Sequence, residues 1–200
     1  MWLIIGLGNP GQEYENTRHN LGFRVVESLG RDLSLPLAKK GFLSQWAKGV
    51  WNGEAVVLAI PQTFMNRSGE ALLSLMQFFK IDNRRVIVVH DDLDVPLGEI
   101  RIKEKGGDGG HKGLRSIICC TGRKEFIRLR LGISRPEMKG KEIDFVLGFF
   151  GEQELPVVEK QIEQAKEAVE TIIFKGTATA MNQFNRRKKD KTLSSEEILS

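Results

Sequence analysis

Four side chains in this 200-residue sequence have types suited to acyl-transfer chemistry: Asn9, His19, Asn66 and Asp91. A histidine turned by a carboxylate, beside amides that hold a carbonyl, is equipped for general-base hydrolysis. The sequence has no G-x-S-x-G elbow, and neither cysteine lies near a base, so water is the expected nucleophile. The run His90-Asp91-Asp92-Leu93-Asp94 offers a different chemistry, a divalent cation held by carboxylates. The three histidines are scattered and meet no metal-ligand spacing, so no metal site is expected. Plainer roles stand beside these. An isolated His19 at a helix start would serve structure or face solvent, and Asn66 would serve as a helix N-cap.

Whether these residues meet depends on the elements that carry them. Apolar, β-rich runs recur at 2–7, 42–50, 54–60, 85–90, 99–103 and 126–133. Helical patterns lie between several of them. One begins with Leu21, Phe23, Val25, Val26 and Leu29, and another holds Leu72, Leu75, Met76 and Phe79. A third holds Val158, Ile162, Ala165, Val169 and Ile172, with Gly176 as its C-cap. Intermixed strands and helices argue an α/β layered domain. Asn52-Gly53 signals a hairpin, so the sheet is expected to be mixed. If the strands ending at Leu7 and Val89 are parallel neighbours, Asn9, His19 and Asp91 converge at one sheet edge, where α/β folds bind ligands.

Two glycine-rich stretches frame that edge. Gly6-Leu-Gly8-Asn-Pro-Gly11 fits G-x-G-x-x-G, the dinucleotide fingerprint. The residues after it show no apolar helical face, and no acidic residue ends a second strand about 20 positions on. The glycines are read instead as a sharp turn that leaves Asn9 exposed. The second stretch, "KEKGGDGGHKG" at 103–113, is either a loop that closes over a ligand or a plain connection. Lys103, Lys105, Lys112 and Arg115 bring positive charge there, and Arg128 and Arg130 alternate onto one strand face. A basic surface beside a hydrolytic cleft fits a nucleic-acid-linked substrate.

The formal net charge of +4 permits a polyanionic partner without demanding one. Cys119 and Cys120, adjacent among apolar residues, are expected to be buried, reduced thiols. No run approaches the roughly 20 apolar residues of a membrane span. The first strand begins at Trp2, with no room for a targeting segment before it, and a cytoplasmic protein is expected. Residues 1–185 are read as one domain. Residues 186–200, "RRKKDKTLSSEEILS", are read as a frayed polar tail whose basic run is able to touch nucleic acid.

The segments "GLGNPGQEYENTRHNLG", "PQTFMNRSG", "VVHDDLDVPLG", "GGDGGHKGLRS" and "RLRLGI" together resemble bacterial peptidyl-tRNA hydrolase, in order and spacing from residue 2 to about residue 185. The resemblance implies a monomeric α/β domain around a mixed, twisted central sheet flanked by helices. It implies cleavage of the ester joining a peptide to the terminal ribose of tRNA, with no metal, cofactor, membrane or obligate protein partner. By the same resemblance His19 is the base that activates water, and Asp91 holds its imidazole in the right tautomer. Asn9 and Asn66 bind the peptide end and position the ester. Tyr14, Phe64 and Met65 line the cleft, Lys103 and Arg130 grip the tRNA 5′ phosphate, and His111 is the loop histidine beside the site. One position departs from the family pattern: Lys112 stands where the family commonly has Asn, which bears on how that position contacts water and substrate. Chloroplast relatives of this fold act as RNA-binding proteins in group II intron splicing. That non-catalytic role is the alternative reading, and the intact His19, Asp91, Asn9 and Asn66 set favours the enzyme.

Overall fold

The structure, a computed structural model, describes residues 1–185, so the tail expected at 186–200 lies outside the described residues. Seven strands form one sheet: β1 (Trp2–Gly6), β2 (Lys39–Gly41), β3 (Ser44–Trp51), β4 (Glu54–Pro61), β5 (Val86–Asp92), β6 (Ile100–Lys103) and β7 (Ile127–Gly132). Six of them fall within two residues of the apolar runs. The strand order is β2-β3-β4-β1-β5-β7-β6. β4, β1, β5 and β7 run parallel in the centre, and the two ends of the sheet are antiparallel. The sheet is mixed, as the Asn52-Gly53 hairpin requires. Both of those residues have positive φ, 46° and 87°, which matches the twist of the flanking strands.

The six helices are α1 (Leu21–Asp32), α2 (Ser68–Phe79), α3 (Lys112–Thr121), α4 (Glu142–Val146), α5 (Leu155–Lys175) and α6 (Thr177–Phe184). α5 ends at Gly176 with φ 87°, as its pattern requires. Central strands are buried on both faces, so successive residues feed different cores. Ile4, Val56, Leu58, Ile87 and Val89 pack with α1 and α5. Leu3, Ile5, Val57, Val86 and Val88 pack with Leu72 and Leu75 of α2 and Leu114 and Ile117 of α3. The result is one α/β domain of three layers.

The first glycine stretch serves packing at this junction. A Cβ on Gly22 would lie 2.4 Å from the Val89 carbonyl oxygen, and one on Gly6 would lie 2.2 Å from the Gly22 carbonyl oxygen. The first turn of α1 therefore rests directly on the ends of β1 and β5. The chain between β1 and α1 passes through two short 3-10 turns, Gln12–Tyr14 and Arg18–Asn20, and not straight into a helix. That path places His19 just before α1 and over the end of β5.

Candidate active site

β1 and β5 are parallel neighbours with Gly6 opposite Val89, which brings the segments after each strand together. Asp91 is 2 % exposed and is the hub of the site. Its carboxylate accepts from His19 Nδ1 at 2.9 and 3.0 Å and from His111 Nε2 at 3.1 Å. His111 Nδ1 accepts the backbone N–H groups of Gly113 and Leu114, capping α3, so the ring proton resides on Nε2. With His19 Nδ1 committed to Asp91, its Nε2 is the nitrogen left to take a proton in the cleft. Burial alone would raise the Asp91 carboxyl pKa. The charges of His19 and His111 and the hydrogen bonds they donate outweigh this and hold it well below the usual carboxylate range. His90, one residue earlier, does not line the cleft, and its ring packs edge-on against His111 with 4.9 Å between centroids. His90 Nδ1 donates to the Asp91 carbonyl at 2.7 Å and its Nε2 is buried without a partner. Burial first, and the nearby His111 second, push its pKa down to about 3.

The amides are fixed with equal economy. Asn9 Oδ1 accepts from the Met65 backbone N–H at 2.8 Å, so its Nδ2 is the amide group free to donate to a ligand. Asn20 grips the Asn9 main chain with both ends of its carboxamide. Oδ1 accepts from Asn9 N at 2.8 Å and Nδ2 donates to Asn9 O at 2.9 Å. Asn20 was not singled out in the sequence, because a polar residue at a helix start reads as a cap. Here it makes no cap bond and sets the posture of Asn9 instead. Asn66 lies exposed in the 3-10 turn Met65–Arg67, and Arg67 occupies the position before α2, so Asn66 is not an N-cap. A cleft of about 940 Å³ runs past Asn9, His19, Phe64, Met65, Asn66, Asp91, His111 and Lys112. An α4 flank of Ile143, Val146 and Leu147 adds apolar wall.

The peptidyl-tRNA hydrolase family model matches residues 3–192 of this chain. The chain belongs to the peptidyl-tRNA hydrolase family. It is 46% identical over 185 residues to the peptidyl-tRNA hydrolase of Caldanaerobacter subterraneus subsp. tengcongensis, covering 92% of this chain and 100% of the relative. It is 41% identical to that of Alkaliphilus oremlandii, with the same coverage. The crystal structure of peptidyl-tRNA hydrolase from Acinetobacter baumannii superposes with a TM-score of 0.87 at 38% identity, covering 92% of this chain and 94% of that one.

Not every residue expected to act in a peptidyl-tRNA hydrolase stands at the cleft. Tyr14 is half-buried in its own 3-10 turn and is not among the residues lining the cleft. Lys103 and Arg130 lie on β6 and β7, away from the lining. Arg130 Nε donates to Asp92 at 2.6 Å, which leaves its terminal nitrogens for another anion. Arg128 is no surface residue. It is 2 % exposed, stacks 3.8 Å from the Phe126 ring centroid and donates to the carbonyls of Lys124, Phe126 and Gly106. The two cysteines are not buried together. Cys119 is exposed and Cys120 half-buried, because α3 turns Leu114 and Ile117 inward and sets the thiols on the cleft rim.

The carboxylates of residues 91–94 do not converge on a cation. Asp91 serves the two histidines, Asp92 binds Arg130, and Asp94 binds Arg135. The cluster whose atoms approach metal spacing among the described residues is His19, Asp91 and His111. A metal on His111 Nε2 would require the proton to move to Nδ1, against the Gly113 and Leu114 N–H donors. The hydrogen-bond pattern thus fits a proton-holding cluster and does not fit a metal.

Proposed function

We propose that His19 is the general base of peptidyl-tRNA hydrolysis in this chain, acting on the ester between a peptide, or an N-blocked amino acid, and the terminal ribose of tRNA. The observation that carries this reading is the His19–Asp91 pair, with the other His19 nitrogen in the cleft. His19 Nε2 takes a proton from water as its oxygen attacks the ester carbonyl carbon. The developing oxyanion is met by amide donors, Asn9 Nδ2 and the Asn66 side chain. On collapse the C–O bond to ribose breaks, and the ribose oxygen takes the proton back from the imidazolium. Asp91 stabilises that imidazolium, and the His111 donor keeps Asp91 ionised. The fixed Asn9 donor also sorts substrates. An amide carbonyl accepts its hydrogen bond, whereas a free α-ammonium presents only donors and leaves it unpaired.

Phe64, Met65 and His111 flank the peptide end, and Lys103 and Arg130 take the tRNA 5′ phosphate. The chain works as a monomer of one domain over 1–185, in the cytoplasm where its tRNA substrate is made. The described residues include no helix long and apolar enough to cross a membrane.

His19→Ala is expected to lower single-turnover hydrolysis of N-acetylated aminoacyl-tRNA by about 10²–10⁴-fold with the fold retained. Asp91→Asn should slow turnover by disturbing the tautomer. A near wild-type rate in His19→Ala would move the base elsewhere. Absence of turnover in the wild-type chain, with tRNA still bound, would favour the non-catalytic RNA-binding role.

A further inference from the structure

His19 follows Arg18 in the 3-10 turn Arg18–Asn20, and Arg18 is committed to the segment around α4. Its backbone N–H donates to Gly148 O at 3.0 Å, and Thr17 before it bridges Phe149 as in an antiparallel ladder. Arg18 Nη1 donates to Phe149 O at 2.6 Å, and Nη2 donates to Glu154 Oε2 at 2.8 Å, just before α5. The guanidinium carbon lies 4.2 Å from the Phe145 ring centroid and 5.1 Å from that of Phe150. Its planar charged fork stacks and donates at once, which a lysine does not do.

Helix α4 depends on such a hold. It has five residues, none of them buried, and Phe145 and Val146 pack half-buried against the core. A helix this short is not stable through its own hydrogen bonds. Its sequence divides its faces. Ile143, Val146 and Leu147, at i, i+3 and i+4, share the face toward the cleft. Phe145 is not among the cleft residues and lies with Arg18 on the other side. Arg18 thus grips the back of the helix whose front is the cleft wall, while its neighbour in the chain is His19.

That front is apolar and open. Ile143 is 59% exposed and Leu147 is 38% exposed. Apolar surface in a cleft is stabilised by covering it with an apolar group. The terminal nucleoside of tRNA is recognised by stacking on aromatic rings and by hydrogen bonds to base edges. A wall of branched aliphatic side chains offers neither, and it fits the acyl half of the ester, whose side chains are flexible and apolar.

We propose that Arg18 is a positioning residue: by clamping the back of α4 it holds Ile143 and Leu147 as a subsite for an aliphatic side chain of the peptide. The proposal rests on the peptidyl-tRNA reading of the site.

The test compares N-acetyl-leucyl and N-acetyl-glycyl esters carried on one and the same tRNA. The wild type is expected to favour the leucyl ester by about tenfold in kcat/KM. Arg18→Met keeps the length of the stem and loses the fork. Phe145→Leu keeps the apolar packing, loses the stack, and touches neither the cleft nor the His19 turn. Each should bring the ratio near one through a higher KM on the leucyl ester with its kcat retained, since the lost contact is one of ground-state binding. The two together should lower the ratio no further than either alone, because both break one contact. Arg18→Lys should fall between Arg18→Met and the wild type. Should Arg18→Met fail to fold, Phe145→Leu decides. A wild-type ratio near one overturns the proposal, as does an unchanged ratio in Phe145→Leu. An equal loss on both esters also overturns it, and would place the wall against the terminal nucleoside or assign Arg18 to the His19 turn alone. Failure of the peptidyl-tRNA reading looks different: the wild-type chain then cleaves neither ester.

Discussion

Lys112 is the residue at which the site carries a charge its fold does not want. It is the first residue of α3, exposed and facing the cleft, at a helix end that already bears partial positive charge. A cation there costs about 0.3–1 kcal/mol by the helix dipole. Lysine offers only donors, so it does not accept a proton from an attacking water, but it suits a ribose oxygen or phosphate near the tRNA 3′ end. Lys112→Asn should therefore leave single-turnover chemistry at saturating substrate within about tenfold, or about 1.4 kcal/mol in barrier. Its expected effect is a higher, salt-sensitive KM. A hundredfold faster chemical step on restoring Asn would show instead that Lys112 impairs the site. At this scale the sequence was informative wherever chemistry follows from strand neighbours. Asn9, His19 and Asp91 meet because β1 and β5 pair as expected. Asn20 stayed hidden because its partner is the peptide unit of Asn9, and backbone partners leave no mark in side-chain types.

Among the elements, the loop between β6 and α3 carries His111, leads into Lys112 and is held at both ends. Asp108 accepts the Gly110 N–H through its carboxylate and the His111 N–H through its carbonyl. Gly109 and Gly110 have φ of 56° and 83°, so the glycines let the chain double back before the helix. At the other end Arg128 Nη2 donates to Gly106 O at 2.6 Å. Burial pulls the Arg128 pKa down to about 10, and its hydrogen-bond acceptors are backbone carbonyls. Arg128→Met would leave those carbonyls unpaired, at about 1–3 kcal/mol for each that stays buried. The expected result is faster amide exchange over 104–111 and a kcat/KM lower by about tenfold or more, partly restored in Arg128→Lys. A lower Tm with unchanged kcat/KM would make Arg128 a packing residue without influence on the loop. The alternation in "RLRLG" showed that Arg128 and Arg130 share a strand face. It did not show that the loop covers one of them, since that depends on a contact 22 residues away in sequence.

For the molecule as a whole, the parallel centre and the Asn-Gly hairpin were legible because buried strands read as apolar runs. β2, three exposed residues of Lys-Lys-Gly, and α4, with no buried residue, carry no such pattern and were missed, as were the short helices α3 and α6. Packing around the site has a further consequence for the stability of the entire domain. His90 is buried as the neutral form with its pKa near 3, against about 6.5 in an unfolded chain. The unfolded state thus binds more protons below pH 6.5, and stability falls as pH drops from there toward 3. Asp91, held below its ordinary range, acts in the same direction at lower pH, from about 4 downward. The loss approaches about 1.4 kcal/mol per pH unit for each such group, or about 2 kcal/mol between pH 6.5 and 4.5 from His90. In a domain of this size that lowers Tm by roughly 4–8 °C. His90→Asn, which does not titrate, should begin less stable at pH 8, having lost a well-packed ring, yet decline more gently over the same range. Calorimetric scans at half-unit pH steps read both effects. Parallel acid limbs in the wild type and the variant would mean that the proton taken up on unfolding belongs to another group.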